Sequence, residues 1–219
     1  MTYATLVQLM QDYLENGEAS FVSNIPDIIR TAEEAIYNAV RTPDQRQTQT
    51  GTVATQTLTT PGGFVEPLGL YLGASTTPLL LKSPTYIRTV WGGLTGEPKT
   101  YAILTSTADS PNSTAPATIL LGPAPSTSYS YTLDYVGVPT SITAAATPSR
   151  STWLSINFSG VLLYRCLIEG YIYNKGAADM MAVYETKYKE LLEDLKRSSE
   201  GLVMQDEYRD RPVGREVTI

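Results

Sequence analysis

Histidine is absent from the 219 residues of this chain. That removes the side chain that most often serves as a general base near neutral pH and most often ligates a transition metal. Cysteine occurs once, so no internal disulfide can form. Cys166 lies in the apolar run 161–168, where a lone thiol is small core filler, and no histidine is available to activate it as a nucleophile. No apolar stretch approaches the ~20 residues that span a bilayer. The opening Met1-Thr2-Tyr3-Ala4-Thr5-Leu6 also lacks the basic start and apolar block of a signal peptide. A soluble chain made in a cytoplasm, with no membrane partner, is expected. Positive charge is scarce as well: 16 Lys and Arg face 22 Asp and Glu, for a formal net charge of −6. Proteins that grip nucleic-acid phosphates are usually basic on at least one face. The one compact basic cluster, Tyr208-Arg209-Asp210-Arg211, is diluted by Asp206, Glu207 and Asp210 and reads as a solvated tail. No phosphate loop, dinucleotide fingerprint or metal-ligand spacing occurs, and no cofactor is expected; Gly62-Gly63 and Gly92-Gly93 are turn signals.

What is present is a split layout. Between residues 47 and 150 the only charges are Glu66, Lys82, Arg88, Glu97, Lys99, Asp109, Asp134 and Arg150. That middle is rich in Thr, Pro, Gly and Tyr, whereas the ends hold most of the charge in amphipathic patterns. The expected class is α+β: a four-helix frame from the two ends, an inserted small antiparallel β-sandwich or barrel, and an extended C-terminal tail. The boundaries are 1–46 for the first helical pair, 47–150 for the β-rich lobe, 151–200 for the second pair and 201–219 for the tail.

In the first helix, expected over 3–16, Leu6, Leu9, Met10, Tyr13 and Leu14 make one apolar stripe, and Asn16-Gly17 stops it. The second is expected to begin at Asn24 with Pro26 in its first turn, burying Ile25, Ile28, Ile29, Ala32, Ile36, Ala39 and Val40. From Gln47 to Thr59 the pattern alternates in strand fashion, with Gly51 a bend. Short strands follow at 68–72, 79–82, 99–104, 117–121 and 129–136, with a short helix or turn over 84–91 and a loop tip at 108–116. A third helix is expected over 158–175, with Val161, Leu162, Tyr164, Leu167, Ile168, Tyr171 and Ile172 on or near its buried side. A fourth, over 177–198, carries Met180, Met181, Tyr184, Tyr188, Leu191, Leu192 and Leu195 on one stripe, and Gly201 ends it.

No residue announces chemistry. The helical spacing of Tyr164, Tyr171, Tyr173, Tyr184 and Tyr188 favours packing over ligand binding, with the hydroxyls reaching water at the edge. Trp91 and Trp153 flank Gly- and Thr-rich stretches; they suit core anchoring, with sugar stacking by a glycan-binding β lobe as the alternative. The pairs Glu33-Glu34 and Glu193-Asp194 read as solvated helix faces. A hydrolase using Glu66 or Glu97 as acid would need an isolated carboxyl with a raised pKa in the uncharged lobe.

The order of local patterns carries more than any one of them. Tyr3-Ala4-Thr5-Leu6-Val7, Phe21-Val22-Ser23-Asn24-Ile25-Pro26 and Ile29-Arg30-Thr31-Ala32-Glu33-Glu34 come first. Gly96-Glu97-Pro98-Lys99-Thr100-Tyr101, Leu121-Gly122-Pro123-Ala124-Pro125, Trp153-Leu154, Glu169-Gly170-Tyr171 and Tyr184-Glu185-Thr186-Lys187-Tyr188 follow. Across nearly the whole chain this resembles the head-to-tail adaptor proteins of short-tailed bacteriophages, a group similar in layout to the tail tubular protein A family. The resemblance implies a structural virion protein, not an enzyme. It implies a homo-oligomeric, dodecameric ring docked under the portal protein and followed by a downstream tail or nozzle protein. Duplex DNA would pass through the lumen without specific binding. Assembly would take place in the host cytoplasm. It further implies that the C-terminal segment reaches the portal, making Leu202, Met204, Tyr208, Arg209, Arg211, Val213 and Ile219 the portal-binding candidates.

Overall fold

The computed structural model describes residues 1–104, 117–144, 147–176 and 178–209. Its helices are α1 (Tyr3–Leu14), α2 (Ala19–Ala39), α3 (Pro84–Val90), α4 (Trp153–Asn157), α5 (Ser159–Tyr173) and α6 (Ala178–Arg209). Its strands are β1 (Arg46–Val53), β2 (Thr57–Thr59), β3 (Phe64–Leu72), β4 (Leu80–Leu81), β5 (Thr95–Gly96), β6 (Thr100–Leu104), β7 (Thr118–Gly122), β8 (Ala124–Pro125) and β9 (Tyr129–Gly137). The chain divides into two units, residues 1–43 with 140–219 and residues 44–139, and the class is α+β. The expected loop tip 108–116 lies outside the described residues.

In the helical unit α5 is the central element, packed against α1, α2, α4 and α6. Leu6, Met10, Phe21, Ile25, Ile29, Ile36, Leu162 and Cys166 meet in its core and are fully buried. Gly170 lets α1 come close: a Cβ there would lie 2.6 Å from Leu14 Cδ1. Helix α1 opens on Thr2, whose Oγ1 accepts the Thr5 N–H at 3.3 Å. Two further N–H groups of its first turn, on Tyr3 and Ala4, donate to the carbonyls of Arg150 and Pro148 at 2.8 and 3.0 Å. The returning chain therefore satisfies donors that a helix start leaves open.

Four expectations are corrected here. Helix α2 starts at Ala19, before Asn24, and Pro26 sits in its interior. An interior proline costs about 3 kcal/mol. Full burial of Phe21 and Ile25, each about 1.5–3 kcal/mol, offsets it. Asn24 Nδ2 and Ser23 Oγ both donate to the Ser20 carbonyl, at 2.7 and 2.8 Å, within the same turn. Second, Trp153–Asn157 forms a helix of its own before α5, because Thr152 and Ser155 close a reciprocal capping box at 3.2 and 2.9 Å. Third, α6 passes through Gly201 to Arg209. One helical glycine costs about 1 kcal/mol relative to alanine. The preceding turns hold the pairs Lys187–Glu190, Lys189–Glu185, Lys196–Glu193 and Arg197–Asp194 at helical spacing. Residues 201–209 are thus helical where an extended tail was expected. Fourth, Ala39 is exposed, and Tyr13, Ile172 and Met180 keep 47%, 52% and 43% of their surface.

The β unit is a small sandwich. One sheet has the order β1-β9-β3, antiparallel throughout, with Arg46 opposite Val136 and Val53 opposite Tyr129. The other has the order β2-β7-β6-β4, in which the two-residue β4 runs parallel to β6; β5 and β8 form a separate short pair. Leu70, Tyr131 and Leu133 of the first sheet join Leu58, Tyr101, Ile119 and Leu121 of the second in one core. Period-two alternation turns Ala102 and Leu120 to the opposite side, where Ile87 and Trp91 cover them.

Candidate interaction surfaces

The two tryptophans are packing residues in the structure. Trp91 is half-buried against Ile87, Ala102 and Leu120. Trp153 lies against the helical core, its ring 5.5 Å from that of Phe158. Tyr164, Tyr171 and Tyr184 form a ring cluster as their spacing predicted, Tyr184 edge-on to Tyr171 at 5.7 Å and 6.3 Å from Tyr164, whereas Tyr173 stays 44% exposed. Burial, then Tyr171, Tyr13 and Tyr164, raises the Tyr184 hydroxyl pKa.

Cys166 is fully buried, and burial pushes its thiol well above the usual range, with Glu33 adding to the effect. Such a thiol stays protonated and inert. Glu66 and Glu97 are both exposed, so neither carboxyl sits in the apolar setting that would make it a general acid. Glu33 was expected on a solvated face and is instead 3% exposed. It shares a helix face with Ile29, Ile36 and Tyr37, and its Oε1 accepts the Ile142 N–H at 3.1 Å. Among the described residues no group of three acidic, Cys or His side chains could hold a metal ion, and no helix is long and apolar enough to cross a membrane.

Of the portal-binding candidates, Leu202, Met204, Tyr208 and Arg209 fall on the last turns of α6, a helix of 32 residues, ~48 Å long at 1.5 Å per residue. Arg211, Val213 and Ile219 lie outside the described residues.

Sequence reasoning missed two exposed apolar surfaces, because each needs the folded arrangement to bring its residues together. On the β unit, Leu80 and Leu81 of β4 and Tyr86 and Val90 of α3 are exposed, and Lys82, between the two elements, holds its Nζ 5.7 Å over the Tyr86 ring. On the helical unit, the ends of α1 and α5 lie side by side, joined by Asn16 Nδ2 donating to Asn174 Oδ1 at 2.9 Å. That end exposes Tyr13, Ile172 and Tyr173. Contiguous exposed apolar surface marks sites of contact with other chains.

Two separately cored units with exposed apolar side chains on each suit a protein of the structural, assembly-forming kind. The family model of the SU10 adaptor protein matches residues 1–215, and the chain belongs to that family. It is a structural adaptor of a bacteriophage virion, a head–tail connector, whose place implies contact with portal and tail proteins. No curated protein matches the chain.

Proposed function

We propose that this chain forms a ring, dodecameric like the portal above it, which joins the capsid to the tail and lines the channel through which DNA leaves. The family match over residues 1–215 carries this reading. The C-terminal segment, from Leu202 through Ile219, engages the portal, and the opposite side of the ring receives the next tail protein. The work is done by assembly, without catalysis. A formal charge of −6 per subunit suits a conduit, since each cation on DNA phosphate adds affinity through counterion release and would retard sliding.

Single contacts between subunits are weak in this scheme and become adequate when the portal holds neighbours together. The test is the native mass of the purified chain, alone and after mixing with its portal ring. The expected result is a monomer alone and a stoichiometric ring on the portal; absence of binding would overturn the reading.

A further inference from the structure

The two exposed apolar surfaces carry opposite charge. Three of the four cations of residues 44–139 gather on the β4–α3 strip. Lys82 Nζ stands 5.7 Å over the Tyr86 ring. The Lys99 carbonyl accepts the Leu80 N–H at 3.1 Å, which places Lys99 beside β4. Arg88 is exposed on α3 itself, and Glu97 is the one acidic residue between 79 and 104. The helical end has the reverse balance. Asp12, Glu15 and Glu18 are exposed around the α1 terminus, and Asp179 opens α6, against Lys175.

Both patches have substantial apolar exposure: 61% and 55% for Leu80 and Leu81, 52% and 44% for Ile172 and Tyr173. Like-charged rims would repel; these attract and fix orientation. We propose that the basic-rimmed strip of the β unit docks on the acidic-rimmed helical end of a second copy of this chain. Because the two patches differ, the contact is head-to-tail, and repetition closes a ring when the rotation permits. Stable complexes bury about 800 Å² per partner. A handful of side chains falls short of that, so the free contact is weak and salt-sensitive. The inference rests on the ring reading above and supplies its subunit interface.

The experiment mixes full-length Leu81→Cys with full-length Tyr173→Cys and adds a short bis-maleimide, at high concentration in low salt and again on the portal. Cys166 is buried, so the introduced thiols alone react. A crosslinked dimer is expected from the mixture and from neither variant alone. Adding R88E and K99E to the Leu81→Cys chain should lower the yield about tenfold. Adding E15K and E18K to the Tyr173→Cys chain should then restore it. A Leu81–Leu81 crosslink, a yield indifferent to these reversals, or a missing dimer on the portal overturns the docking. Portal capture of the unmodified chain is scored separately. Capture without the mixed crosslink removes this interface alone, and failed capture removes the proposed position under the portal.

Discussion

Glu33 on α2 reaches across the helical unit to hold the backbone N–H of Ile142, 109 residues away in sequence, at 3.1 Å. Ile142 is fully buried, so its N–H has no water to turn to. A buried donor left without its acceptor costs about 1–3 kcal/mol. Glu33→Ala should therefore lower unfolding free energy by about that amount, read from urea melts, while Glu33→Gln, which keeps an acceptor oxygen, should cost less. Equal losses in both variants would show that the carboxylate charge matters more than this bond.

Gly122 and Trp91 make a second close relationship. A Cβ on Gly122 would lie 2.5 Å from Trp91 Cδ1 and 2.9 Å from Ile87 Cγ2. The indole is large and rigid and cannot give way cheaply. Gly122→Ala should destabilise the β unit by about 1–3 kcal/mol, the usual cost of overpacking. Tryptophan fluorescence during denaturant unfolding would report it, and an unchanged midpoint would show that the α3 contact is pliable.

These two sites also show where sequence is a good guide. The period-two alternation of 129–136 and the helical stripes of Leu6 and Met10 or Ile25, Ile29 and Ile36 placed the cores, because burial of one face repeats at a fixed spacing. Glu33 defeated the same logic: a carboxylate beside Glu34 reads as solvated until a distant N–H arrives to satisfy it. Pro26 misled as a helix-start signal and Gly201 as a stop signal, since burial of Phe21 and a run of ion pairs outweigh them. The exposed apolar surfaces were illegible because Tyr13 and Ile172 sit on the same apolar stripes as core residues, and only the fold shows which of these positions stay exposed.

Burial raises the Cys166 thiol and the hydroxyls of Tyr101, Tyr131, Tyr135 and Tyr188. Each group loses its proton at lower pH in the unfolded chain, from about 8.5 for a thiol and about 10 for a phenol. The unfolded state then binds fewer protons than the folded one, so stability falls as pH rises. Stability should be flat through neutrality, decline above about pH 8.5, and steepen above about pH 10. Urea midpoints across that range test this. In parallel, Cys166 should resist a chromogenic thiol reagent at pH 8 until denaturant is added. Rapid labelling of the native chain would mean that α5 opens readily.

The C-terminal segment separates folding from assembly. Leu195 and Ser199 are buried on α6, both ahead of residue 201. Deleting 201–219 removes the last turns of α6 and everything beyond, and keeps Leu195 and Ser199 in place. The truncated chain should stay folded, with stability changed by less than about 1 kcal/mol. Far-UV circular dichroism should lose only the helix contributed by 201–209. Portal capture, measured by co-sedimentation, should vanish. A second truncation after Arg209 divides the candidates, keeping Leu202, Met204, Tyr208 and Arg209 while removing Arg211, Val213 and Ile219. Capture retained there assigns recognition to the helical turns, and capture lost assigns it to the last ten residues, 210–219. If the longer deletion binds the portal with unchanged affinity, the segment is not the portal-binding element, and recognition must lie in the helical or β unit.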